Sequence, residues 1–167
     1  PEGRSRLVVD TSDINVHQLA DRVVHWFNVD ADDSFRVTLL SFGFKNGVPF
    51  DADVVLDVRF LPNPHWVPEL RPRTGLEEPV AAYVLATPEA NAWLDHVEAL
   101  LGIMAPGYLR EGKRQATVAI GCTGGKHRST AMTEALAARL AARGVDCYTA
   151  HRDRSEERRV GKECTSV

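Results

Sequence analysis

Long apolar runs, paired cysteines and an excess of basic charge are all missing from this 167-residue chain. No stretch approaches the roughly 20 apolar residues that a membrane span needs. The start, Pro1-Glu2-Gly3, has neither a Met nor the character of a signal peptide, as expected of a fragment whose upstream part is missing. The three cysteines, Cys122, Cys147 and Cys164, form no CxxC pair and no disulfide framework, so reduced thiols, a cytoplasmic setting and no metal centre are expected. A formal charge of −3 excludes a protein coated in basic surface, while a local basic patch could still meet phosphates.

What is present fits one globular domain: 44% of the residues are hydrophobic and 26% charged, enough for a real core. The end, "RSEERRVGKECTSV" (154–167), lacks apolar periodicity and is expected to be a vector-derived or disordered tail. It contributes +1, which leaves −4 for residues 1–153. In "TSDINVHQLADRVVHWF" the face of Val16, Leu19, Val23, Trp26 and Phe27, capped by Asn15, predicts a first helix with His17 and His25 on its surface. Strands are predicted at Phe35–Phe44 and Val54–Val58. Pro62, Pro64, Pro68, Pro72 and Pro79 then keep the chain extended or turning. Thr87-Pro88 opens a helix with Trp93, Val97, Leu100, Leu101 and Met104 as its stripe, His96 at its surface, and Pro106-Gly107 as its end. "QATVAIG" is a third strand, a helix follows from about Ser129 to Arg143 with Gly144 as its stop, and "VDCYTA" is a fourth strand. Strands alternating with helices predict an α/β layered sandwich with a largely parallel sheet.

The stretch "AIGCTGGKHRST" (119–130) joins the third strand to the following helix. Open α/β sheets hold ligands at that place, where the first helical N–H groups have no partner and the helix dipole is positive. Gly124 and Gly125 let the backbone turn its amides inward. Lys126, His127 and Arg128 add charge, Thr123, Ser129 and Thr130 add hydroxyls, and arginine's planar fork suits two oxygens of a phosphate. An anion, most naturally a phosphate, is the expected guest. A P-loop is excluded, because Gly125-Lys126 would require Gly at Ile120 and Ser or Thr at His127.

A catalytic alternative stands beside the binding one. Cys122-x5-Arg128-Ser129 also fits cysteine-dependent phosphatases of the tyrosine phosphatase type, with Cys122 as nucleophile. Against it, Gly121 stands where those enzymes usually carry His, and no motif marks the acid that must protonate the leaving oxygen; Asp57 is the best candidate. A second polar cluster, "DVRFLPNPHWVPELRP", brings Asp57, Arg59, His65, Trp66 and Arg71 onto a proline-stiffened segment. Asp57 and His65 could bond sugar hydroxyls or an amine, Trp66 could face a sugar ring, and Arg71 could meet a phosphate. The plain alternatives are an Asp57–Arg59 surface pair, a core Trp66 and a structural His65. "HRD" (151–153) follows a strand end and can join the same site.

The stretches "SFGFKNGVPFDADVVLDVRFLPNPHW", "LRPRTGLEEPV" and "AIGCTGGKHRST", in that order, closely resemble the carboxyl-terminal domain of the RapZ (YvcJ-like) nucleotide-binding proteins, over roughly Leu7 to Asp153. The resemblance implies a cytoplasmic, non-catalytic regulatory domain at residues 1–153 that senses an amino-sugar phosphate such as glucosamine 6-phosphate. Asp57, His65, Arg71, Cys122, Thr123, Gly124, His127 and Arg128 would line the ligand site, with Lys45 and Lys126 as additions. It implies no cofactor in this domain; ATP or GTP would belong to an upstream P-loop domain absent here. It further implies homo-oligomers, and a small regulatory RNA and an endoribonuclease as partners, helped by a basic tail that this sequence does not carry after Asp153.

Overall fold

The computed structural model describes residues 35–153. The helix expected at 11–27, with His17 and His25, and the tail with Cys164 lie outside them. Four strands, β1 (Arg36–Gly43), β2 (Val54–Asp57), β3 (Gln115–Cys122) and β4 (Asp146–His151), form one sheet in the order β2-β3-β1-β4. Every pairing is parallel, so the sheet goes beyond the largely parallel one expected. Helices α1 (Glu78–Leu85) and α2 (Pro88–Arg110) connect β2 to β3, and α3 (Arg128–Ala142) connects β3 to β4.

In a parallel sheet, residues in register point to the same face. Val37 and Leu39 of β1, Val118, Ile120 and Cys122 of β3 and half-buried Val54 and Leu56 of β2 therefore form one apolar face. Met132, Leu136 and Leu140 of α3, spaced for one helical face, pack onto it, and Leu94, Val97 and Leu101 of α2 and Val84 of α1 complete the same core. On the other face Val55 and Tyr148 are exposed.

Two prolines depart from the sequence expectation. Pro79, read as extended, sits in the first turn of α1, where a missing N–H costs nothing because that donor has no intrahelical acceptor. Pro106, read as a stop, lies inside α2, which runs on to Arg110. The ring removes only the bond to the carbonyl of Gly102, four residues back. Thr87 caps α2 by accepting the Ala90 amide at 3.3 Å, and Gly144, at φ +77°, ends α3 as expected. Leu100, placed in the α2 stripe, is instead exposed, while Glu98 is buried against Arg139 and Arg143 of α3. His96 is exposed, as read. No helix among the described residues is long and apolar enough to cross a membrane.

Candidate functional site

All four strands run the same way, so their carboxyl ends share one rim. That rim holds Gly43, Asp57, Cys122 and His151, and the loops that follow them. The loop after β3 (123–127) lies between the segment that follows β2 and the ends of β1 and β4.

His127 occupies the N-cap position of α3 without a side-chain capping bond, and no backbone carbonyl among the described residues takes the amides of Gly124, Lys126, His127 or Arg128. Gly125 has φ +80°, a conformation only glycine adopts freely, and a Cβ there would fall 2.7 Å from the Gly43 nitrogen and 2.8 Å from the Asp153 Cβ. The Cys122 sulfur, buried beneath the loop, accepts the Gly125 N–H at 3.2 Å and lies 3.1 Å from the Ser129 hydroxyl.

Arg128 is 5% exposed. Nη1 donates to the carbonyls of Arg59 (2.7 Å) and Leu61 (3.1 Å), and Nη2 donates to the Thr123 hydroxyl at 3.2 Å. Nε is buried with no partner. The guanidinium is thus fixed at its tip, while one side edge, Nε with a hydrogen of Nη2, still has donor capacity. That edge is the one that grips two oxygens of a carboxylate or phosphate. Lys45 stands close by: a Cβ on Gly124 would lie 3.9 Å from its Nζ, and its amide donates to the Thr123 carbonyl.

The proline-stiffened segment is fastened to this loop. His127, 8% exposed, bonds the Arg71 carbonyl through Nε2 at 3.1 Å, so Nε2 carries the hydrogen. Lys126 Nζ donates to the Pro72 carbonyl at 2.9 Å, and the Gly75 amide donates to the Lys126 carbonyl at 2.9 Å. A Cβ on Gly75 would run into the His127 carbonyl oxygen. Burial pushes His127 below its ordinary pKa of 6.5 against the Arg71 carbonyl, and nearby Lys126 and His65 add to the lowering.

Of the second cluster, Asp57 is held in a two-pronged pair with Arg59, Nε donating to Oδ1 at 3.0 Å and Nη2 to Oδ2 at 2.7 Å. That bond, opposed by partial burial and helped by nearby Arg128, keeps the Asp57 carboxyl below its ordinary 3.8. It is therefore a carboxylate and not a ready proton donor. Arg71 Nε donates to the His65 carbonyl at 2.8 Å, folding the segment on itself. His65 and Trp66 meet edge to face, and Trp66 is 74% exposed, not core. The HRD triplet closes the rear: Asp153 accepts the Gly43 amide at 2.8 Å and is paired with Arg152, while His151 bonds Ser41 and Glu134. Among the described residues no group of three His, Cys, Asp or Glu side chains could hold a metal ion.

Five participants escape sequence reasoning: the Arg59 and Leu61 carbonyls, Gly75, Ser41 and Glu134. Backbone acceptors carry no side-chain signal, and Ser41 is an ordinary polar residue within an apolar strand. Gly43, seen only as an interruption of β1, is required because a Cβ there would strike the Gly124 carbonyl carbon.

A family model described as the RapZ C-terminal domain matches residues 35–155. A nucleotide-binding protein of Cutibacterium acnes is 60% identical over 90% of this chain and 52% of its own length. One from Streptomyces coelicolor is 58% identical over 93% of this chain and 52% of its own length. The chain spans about half the length of the curated relatives it matches. With the motif-bearing loops inside the matched span, the chain belongs to the RapZ C-terminal domain family.

Proposed function

We propose that this chain is a sensor domain that binds a phosphorylated amino sugar, of the glucosamine 6-phosphate type, at the carboxyl rim of its sheet. The observation that carries the reading is the buried Arg128 guanidinium, fixed by the carbonyls of Arg59 and Leu61, with its Nε left unpartnered beside a helix end that has no cap. A buried donor without an acceptor is costly, and a phosphate oxygen would satisfy it. In this reading the amides of Gly124 and of Lys126 to Arg128, the Arg128 edge and the Thr123 hydroxyl hold the phosphate, with Ser129 buried behind them against the Cys122 sulfur. Lys126 and His127 tie that loop to the segment bearing Asp57, His65, Trp66 and Arg71, which faces the sugar. Lys45 adds positive potential. The relatives' name, nucleotide-binding protein, does not point to this loop, which is not a P-loop; in this reading the nucleotide, ATP or GTP, belongs to the half of those relatives that this chain does not span.

Glucosamine 6-phosphate at about 100 times its Kd should stabilise the fold by about 2.7 kcal/mol, a rise in Tm of roughly 10 °C. Glucosamine without the phosphate should leave Tm unchanged. No shift at millimolar sugar phosphate would remove the reading.

One observation favours a second reading: the Cys122 sulfur receives an amide hydrogen and faces a hydroxyl, an arrangement that suits a nucleophilic thiolate. Asp57, ionised and paired with Arg59, is poorly placed to serve as its acid. Turnover of an aryl phosphate, abolished by Cys122→Ser, would establish the cysteine phosphatase in place of the sensor.

A further inference from the structure

Behind the loop a run of buried polar groups crosses from β4 to the helix end. The Thr130 hydroxyl donates to the Gly125 carbonyl at 3.0 Å. Ser41 Oγ lies 3.5 Å from Thr130 Oγ1 and 2.8 Å from His151 Nδ1, and His151 Nε2 lies 3.0 Å from a Glu134 carboxylate oxygen. Ser41 and Thr130 are fully buried. Serine, histidine and glutamate in this order look like a nucleophile with its base, but Ser41 has no exposed surface and cannot meet a substrate. The run must act inward. Thr130 commits its hydrogen to Gly125, so a continuous run has Ser41 donating to Thr130 and His151 donating twice, from Nδ1 to Ser41 and from Nε2 to the Glu134 carboxylate, with a hydrogen on each ring nitrogen. The Glu134 carboxylate then orients the ring from its far side.

The last acceptor in the run is the carbonyl of Gly125, the positive-φ residue of the loop, whose amide is the one bonded to the Cys122 sulfur. Fixing that carbonyl fixes the peptide that turns the neighbouring amides. We propose that Thr130, Ser41, His151 and Glu134 form a brace of positioning residues that holds the anion loop in its binding shape from behind, an inference that rests on the binding role proposed above. Chains of buried hydrogen bonds in a low-dielectric interior strengthen one another, so an end residue that touches no ligand still matters.

The test compares Thr130→Val, which keeps shape and loses the hydroxyl, with Thr130→Ser, which restores it. Glu134→Ala, at a half-exposed side chain, is the distant variant that does not threaten the fold. Hydrogen exchange at the amides of residues 123–127 is measured in the ligand-free protein, and affinity for glucosamine 6-phosphate and for inorganic phosphate by calorimetry. Thr130→Val should speed exchange and weaken binding by about ten-fold, Thr130→Ser should recover both, and Glu134→Ala should weaken binding by about three-fold. Wild-type exchange and affinity in both Thr130→Val and Glu134→Ala would overturn the brace. Faster exchange in the variants, in a protein whose wild type binds neither probe, would uphold the brace and overturn the sugar-phosphate reading.

Discussion

At the scale of single residues, Arg128 is the side chain whose chemistry is hardest to replace. Arg128→Ala would strand the carbonyls of Arg59 and Leu61 and mix a folding loss of about 1–3 kcal/mol with any loss of binding. Arg128→Lys is the cleaner variant, since it keeps the charge but not the fork. It should weaken sugar-phosphate binding by about ten-fold or more, and Cys122→Ser should weaken it less, as read by calorimetry. The reverse ranking would assign the chemistry to the thiol. Gly125 is constrained twice, by its positive φ and by its contacts with Gly43 and Asp153. Gly125→Ala should therefore cost about 1–3 kcal/mol in chemical denaturation, more than an alanine substitution at an open glycine such as Gly102.

At the scale of elements, the strand–loop–helix unit was legible because glycine, charge and a helix start coincide within twelve residues. The stripe of Met132, Leu136 and Leu140 announced α3 in the same way. The fastening of one loop to another was not legible. The Arg128 guanidinium reaches carbonyls 67 and 69 residues away, a meeting created by the order β2-β3-β1-β4 and not by local pattern. Helix α1 was hidden for a related reason: Pro79 reads as a breaker unless the helix start is already known. Gly75 gives a test at this scale. Gly75→Ala would force the segment 58–75 away from the His127 carbonyl and should lower ligand affinity by several-fold. The core of α1, α2 and the sheet should stay intact by circular dichroism.

At the scale of the whole molecule, the rim gathers ionisable groups whose folded pKa values are lowered. Burial pushes Asp153 upward, but its bonds from Arg152 and the Gly43 amide prevail and hold it below 3.8. Asp57 and His127 are lowered as well. In each case the unfolded chain binds more protons near the ordinary pKa, so stability rises with pH there. The His127 contribution is present above about pH 6.5 and fades as pH falls below it, and the aspartate contributions are lost below about pH 4. Thermal melts should show both steps, and His127→Gln should erase the upper one. Burial, with Asp146 and Glu134 nearby, pushes the Cys147 thiol up to about 11, so alkylation at neutral pH should be slow there. Residues 1–153, at −4, should retain RNA only at low salt in a filter-binding assay.

Parallel strands also have an opposite end, and that end supplies an internal control. Asp53, just before β2, is paired with Lys113, just before β3, and takes the Thr117 amide at 2.8 Å, at the opposite end of β2 from the proposed anion site. Damage at this pair should loosen the scaffold while sparing occupancy, so Asp53→Asn separates variants that merely melt the protein from those that empty its seat.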